Sequence, residues 1–310
     1  MVKDQSYWLH KLATLRIDRA RGDPAPHKPL LLLAVLDMAE RGELTDLELP
    51  LSPDLAFRFS IYWSVVAERR KQYPDVRLLF HHLKSSGIWQ PLMSDGKPSP
   101  DKRLTAKVRF DPTFLNCLYD SIFCNKAKRI LIETPPYFRT EERIALYTML
   151  RLKPTAADKL KETGQLYTVP AERGRDARFR IEVVVVAYKH TCALTGYRMT
   201  TLEMESIVDA AHIHQFSDSR NNDPRNGLAL SKNAHWQFGR GLWSITDDYR
   251  VIVNHDRFIE EGIPGQKLAD FDGHRLFLPN NPKHWPERTH LAWHRNHKLM
   301  ALQQAFTAAL

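Results

Sequence analysis

The chain has 310 residues, 43% of them apolar and 26% charged, enough apolar surface for about two domain-sized cores. Lys and Arg number 45 against 36 Asp and Glu, a formal charge of +9, which favours polyanionic partners because each neutralised phosphate releases a counterion. The cysteines Cys117, Cys124 and Cys192 form no Cys-x-x-Cys pair, which excludes a disulfide framework and a four-cysteine zinc site.

The start, Met1-Val2-Lys3-Asp4-Gln5, has no apolar signal core. The longest apolar run, Leu30 to Leu36, is too short to cross a bilayer. The expectation is a cytoplasmic protein without a membrane partner. In chain order, Pro29 to Gly42 reads as a buried helix, with proline in its first turn and glycine just past its end. Phe59, Tyr62, Trp63 and Val66 recur at helical spacing and predict a second helix over 54–70. Arg77 to Trp89 closes on Ser85-Ser-Gly-Ile-Trp89, a turn signal followed by an aromatic. Glu141 to Leu152 predicts a third helix. Residues 153–176 hold Pro154, Gly164, Pro170 and Gly174 among many charges, the composition of an interdomain connection with room for a short helix. Ala177 to Tyr188 reads as helix, Cys192 to Asn254 as short strands with one helix, and Thr289 to Ala309 as a closing helix. The expected fold class is α+β, with a mostly helical domain over 1–155, a linker over 156–176 and a second domain over 177–310.

The chemistry concentrates in Val208-Asp-Ala-Ala-His-Ile213, Asn222-Asp-Pro-Arg-Asn-Gly-Leu-Ala-Leu230 and Ser231-Lys-Asn-Ala-His-Trp-Gln-Phe238. A strand ending at Asp209 to His212 places a carboxylate near an imidazole. Asn226 follows in a turn opened by Asp-Pro. Ser231 can cap a helix that carries His235 one turn in. Phosphodiester hydrolysis needs an activated water, which histidine can supply near neutral pH. It needs a Lewis acid, which a divalent metal supplies, and an amide to orient the base. His212 as base, a metal on Asp209 and His235, and Asn226 as the orienting amide fill those roles.

These segments resemble the HNH nucleases with a ββα-metal fold, in particular those of modification-dependent restriction endonucleases. The likeness rests on Ala210-Ala-His-Ile213, Asn221-Asn-Asp-Pro-Arg-Asn-Gly-Leu228, His235-Trp-Gln-Phe-Gly-Arg-Gly-Leu242 and Cys192-Ala-Leu-Thr-Gly196. It implies that His212 is the general base, Asn226 orients it and His235 binds one divalent metal, Mg²⁺ or Mn²⁺. The chain departs from the pattern at Ala211, where many members carry an acidic ligand, at Ser231-Lys232 and Ala234, and at Gly239. The alternatives are a DNA-binding copy with a silent nuclease and an HNH nuclease with a different target. Elsewhere His214 could share the strand face of His212, whereas His294 and His297 read as packing residues of a helix.

The N-terminal block supplies a candidate reader. His27 and Lys28 sit just before the leucine-rich helix, where a helix start attracts phosphate. The run Pro26-His-Lys-Pro-Leu-Leu-Leu-Leu-Ala34 is similar to the sulfur-binding domain of restriction endonucleases that recognise phosphorothioated DNA. In that likeness Leu78-Leu-Phe-His-His-Leu83 and Ser85-Ser-Gly-Ile-Trp89 form the second motif. Leu78 and Leu79 stand where the family has its Tyr-Pro pair, and His82 stands where it has Arg. Tyr73-Pro74 lies too far upstream of Trp89 to replace that pair. The resemblance implies DNA contacts by His27, Lys28, Leu78, Leu79 and His82. The partner expected is double-stranded DNA, phosphorothioated, methylated or plain. Cutting both strands takes two nicks, so one site per chain points to a homodimer on DNA.

Overall fold

The computed structural model describes residues 2–16, 26–69, 75–134, 137–155, 158, 165–201 and 205–299, with side chains omitted for 165–170. Tyr73-Pro74 and the end of the expected closing helix, Met300 to Ala309, lie outside the described residues. The chain divides into two compact units, Met1–Arg178 and Phe179–Leu310.

The first unit is mostly helical. Its helices are α1 (Gln5–Ala13), α2 (His27–Glu40), α3 (Pro53–Ser64), α4 (Val76–His82), α5 (Pro112–Leu118), α6 (Ser121–Glu133) and α7 (Thr140–Met149). A small antiparallel sheet, ordered β1-β3-β2, is made of β1 (Glu48–Pro50), β2 (Trp89–Leu92) and β3 (Lys107–Phe110). Helix α2 is the centre of this unit. Every residue from Pro29 to Met38 is buried, as expected for a helix that is apolar all round, and it packs on α3 and α6. It begins two residues earlier than the proline pattern predicts, so His27 and Lys28 form its first turn. Helix α3 is shorter than the pattern over 54–70. After Ser64 the backbone closes i→i−3 bonds, such as Val66 N to Trp63 O at 2.9 Å, and continues as turns.

The described part of the segment expected as a linker is largely helical. Residues from Gln165 onward form a helix, α8 (Gln165–Arg180). Asp158 is buried and accepts hydrogen bonds from Arg143 of α7 and from Thr155. A Cβ at Gly174 would lie 2.3 Å from the Ala145 carbonyl oxygen. Gly174 therefore permits the close approach of α8 to α7.

The second unit opens with a π-helical turn, Ile181–Ala187. Strands β4 (Val208–His212) and β5 (Gly227–Ser231) pair antiparallel with Asp209 opposite Leu230 and His212 opposite Gly227. The short helix α9 (Phe216–Ser219) lies between them and α10 (Lys232–Gly239) follows directly. A second hairpin joins β6 (Trp243–Ile245) to β7 (Val251–Val253), and α11 (Arg288–His294) runs into a π-helical turn to Leu299. Ile213, Leu228, Leu230, Phe238 and Trp243 are buried in the core beneath these elements.

One ion-pair network sits in the core of the first unit. Arg58, 1% exposed, binds Asp37 at 3.2 Å and Glu43 at 2.7 Å, and Asp37 also receives Arg41 at 3.1 Å. Removing one partner of such a buried pair leaves a charge without its counterpart. Asp37→Ala should lower unfolding stability by roughly 3 kcal/mol, seen as an early loss of the first unit in urea. An unchanged midpoint would mean that Glu43 alone neutralises Arg58.

Candidate active site

Side chains alternate along a strand, so Ala210 and His212 share one face of β4 and Asp209 and Ala211 the other. The Asp209 carboxylate takes two hydrogen bonds from Arg180, at 2.8 and 3.1 Å. The expected metal pairing of Asp209 with His235 is corrected on that ground: the carboxylate points away from the His212 face and already has a cation.

The His212 ring is held on three sides. Phe179 stacks on it with centroids 4.0 Å apart and planes 8° from parallel. Phe216 lies 5.6 Å away at a tilt. Its Nε2 is 2.7 Å from Asn222 Oδ1. Gly227, opposite His212 in the ladder, makes room for the stack. A Cβ there would meet Val183 Cγ2 at 2.5 Å and Phe179 Cζ at 2.8 Å.

Asn226 does a different job from the one the motif suggests. It is fully buried. Its Oδ1 accepts from His214 N at 2.8 Å, and its Nδ2 donates to His214 O at 2.9 Å and Asn221 O at 3.1 Å. All three bonds are to backbone groups, so Asn226 is a backbone clamp. The amide that touches the ring belongs to Asn222.

Ser231 caps α10, its Oγ accepting from Ala234 N at 3.5 Å. The helix thereby carries His235, exposed, onto a cleft of about 280 Å³ lined by His212, Gln215, Phe216, His235, Phe238 and His294. His294 is a wall of this cleft with both nitrogens engaged. Nε2 donates to Phe238 O at 3.1 Å and Nδ1 accepts from Ser244 Oγ at 2.8 Å, with the ring stacked on Phe238 at 3.7 Å. That pattern suits the neutral imidazole, and burial drives its pKa down to about 3. His214 stacks on Trp293 at 4.0 Å, and His297 stacks on Trp293 at 4.8 Å. Burial, with His297 adding repulsion, holds the His214 pKa below the ordinary imidazole range.

Among the described residues no three His, Cys, Asp or Glu side chains are grouped to hold a metal ion. His235 is the expected ligand that the cleft does present. One imidazole fits an ion that completes its coordination with phosphate oxygens and water, and it suits later transition-metal ions better than Mg²⁺.

In the first unit, the His27 ring lies 4.5 Å from Trp63. Lys28 Nζ donates to Arg16 O at 2.8 Å and Ser85 Oγ at 3.2 Å. Burial, then Arg16, lowers its pKa. Ser85 Oγ in turn donates to His82 O at 3.0 Å, and the His82 side chain is exposed. Leu78 is half-buried, but Leu79 is a core residue with 5% exposure. The expected contact of Leu79 with DNA is corrected accordingly: α4 turns it into the core.

Residues 192–246 match the HNH endonuclease family. They form an HNH endonuclease domain. It contains the β4–β5 hairpin and α10, with His212, Asn226 and His235. No curated protein matches the chain. Among solved structures, the modification-dependent TagI restriction endonuclease is similar at 22% identity with a TM-score of 0.29, over 39% of this chain and 37% of that one. The chain thus spans just over a third of that protein. Three side chains around the HNH site were not singled out by sequence reasoning. Asn222 stood inside a quoted motif, whereas Phe179 and Ser244 carry no local signal, because their roles arise from stacking and hydrogen bonding across sequence.

The buried imidazole makes the HNH unit acid-sensitive. The unfolded chain takes a proton at His294 near the ordinary value of 6.5, whereas the folded chain takes it only near about 3. Stability contributed by the neutral ring is therefore full above pH 6.5 and is lost as pH falls below it. His290, also lowered chiefly by burial, acts in the same direction. His294→Gln should reduce Tm at pH 7.5 yet flatten its fall between pH 6.5 and 5. Thermal melts across that window check it, and equal slopes would remove His294 as the cause.

Proposed function

We propose that the protein is a modification-dependent DNA endonuclease whose HNH unit cuts phosphodiester bonds and whose first unit selects the DNA. The observation that carries the reading is that His212, immobilised by Phe179 and Asn222, and His235, exposed at the head of α10, open onto one cleft within an HNH domain. His212 takes a proton from the attacking water as general base. Asn226 braces the loop that follows His212, binding the backbone of His214 and Asn221. His235 would bind a divalent ion, which when bound supplies Lewis acidity at the phosphate. Two such chains, acting as a dimer on the duplex, would cut both strands.

Support for a reader in the first unit comes from its two motif segments. The Lys28–Ser85 hydrogen bond brings the start of α2 against the Ser85 turn, beside exposed His82 and half-buried Leu78. We assign recognition to this patch, with phosphorothioated DNA as the first substrate to try. The Asp209–Arg180 pair favours one other reading, a modified-DNA reader with a silent nuclease, because it withholds the carboxylate from the cleft.

Plasmid cleavage with Mg²⁺, Mn²⁺ or EDTA separates the two. His212→Ala should slow nicking by about 10²-fold or more while DNA binding persists. His235→Ala should lose the metal-dependent activity, whereas Asp209→Asn should keep its metal affinity in calorimetry. Nicking by His212→Ala at the wild-type rate would displace the active site, and no cleavage by the wild type under any condition would favour the silent reader.

Recognition is checked with the full-length His212→Ala chain, titrated with phosphorothioated, methylated and plain duplexes. His82→Ala should weaken binding to the preferred duplex most. Lys28→Ala should weaken all three and reduce the salt slope by up to about one. Equal affinity for the three duplexes would rule out modification reading by this patch.

A further inference from the structure

We propose that Asn222, not the motif residue Asn226, is the positioning residue that fixes the tautomer and in-plane orientation of His212. This inference rests on the reading of His212 as the base. A stacked contact cannot set those properties alone. The Phe179 ring, 4.0 Å away and 8° from parallel, fixes the plane of the imidazole. A 180° flip of the imidazole about its Cβ–Cγ bond keeps the stack but exchanges each ring nitrogen with a ring carbon, giving two orientations. Only a directional bond distinguishes them. The 2.7 Å contact of His212 Nε2 with Asn222 Oδ1 is such a bond. A carbonyl oxygen is an acceptor only, so Nε2 carries the proton and the Nδ1 lone pair is the basic one.

The residues on either side of Asn222 are tied into the turn. Asp223 N donates to Asn221 Oδ1 at 2.8 Å, Asn226 N to Asp223 O at 2.8 Å, and Asn226 Nδ2 to Asn221 O at 3.1 Å. Asn226 thus acts at one remove: it braces the turn, and the turn presents Asn222. The other end of the Asn222 amide supports the same conclusion. Its Nδ2 is buried and makes no hydrogen bond among the described residues. A buried donor left unmatched is unfavourable and calls for an explanation. An amide whose oxygen is committed to a working imidazole provides one, since rotating it to satisfy Nδ2 would withdraw the acceptor from His212.

The test uses the full-length chain labelled with ¹⁵N-histidine, His212 being assigned by loss of its signal in His212→Gln. Two-bond ¹H–¹⁵N spectra should show the Nε2–H tautomer in the wild type and a mixture in Asn222→Ala. This readout needs no catalysis. In plasmid nicking, Asn222→Ala should lower kcat roughly 10- to 100-fold with little change in KM. Asn222→Asp keeps the shape and the acceptor and adds a negative charge that favours the protonated ring. It should recover much of the rate and move the acid limb of the pH profile to higher pH. A residue out of contact with the ring would not move that limb. If Asn222→Ala keeps the wild-type tautomer, or if Asn222→Asp leaves the limb in place, the proposal is overturned. Should Asn222→Ala fail to fold, Asn222→Asp alone decides through the same spectra and pH profile. Wild-type nicking by His212→Ala would instead overturn the underlying reading of His212 as base.

Discussion

A buried side-chain amide holds the active-site loop in shape. Between β4 and β5 the chain leaves the ladder for residues 213–226, and the polar backbone there needs partners that the strands cannot supply. Asn226 provides them from the end of the loop, binding the amide and carbonyl of His214 and the carbonyl of Asn221. Asparagine suits this place because its side chain offers both an acceptor and two donors at one position. Aspartate would lack the donors, and leucine would leave buried backbone groups unmatched. The placement of His212 at the mouth, of the Asn222 turn and of α9 all follow from that closure.

The imidazoles of the HNH unit show how environment assigns different work to one side chain. His294 is sealed under Phe238, with both nitrogens spent, and is a core residue. His214 and His297 stack on Trp293 as part of the α11 packing. His235 stands exposed at the cleft. His212 lies between these extremes, half-buried with its plane fixed by stacking. Base chemistry suits that intermediate state: enough protein contact to set direction, enough access for water and phosphate.

The first unit follows a different rule. Its central helix is apolar on every side, so its polar exceptions must be matched inside the core, and Asp37 and Arg58 match each other. Burial of α2 also fixes where its first turn emerges. His27 and Lys28 reach the unit's surface because Pro29 and everything after it to Met38 are packed away.

Much of this was legible in the residues themselves. The period of the apolar positions marked α2, α3 and α7, the Ser231 cap marked α10, and the short motifs contained His212 and His235, two residues that line the cleft. These are local properties, set by side-chain chemistry within a few turns of chain. The tertiary structure decided what depends on partners distant in sequence. Asp209 shares a short motif with His212, yet strand alternation and Arg180 direct it elsewhere. Leu79 occupies a motif position, yet the packing of α4 buries it. Gly174 marks a helix contact that its charged neighbours disguise, because only the facing Ala145 carbonyl makes a Cβ intolerable there. Asn222 and Asn226 have identical side chains in one loop. The burial of Asn226 beneath the backbone and the contact of Asn222 with the ring separate clamp from positioner, and spacing along the chain carries no information about either.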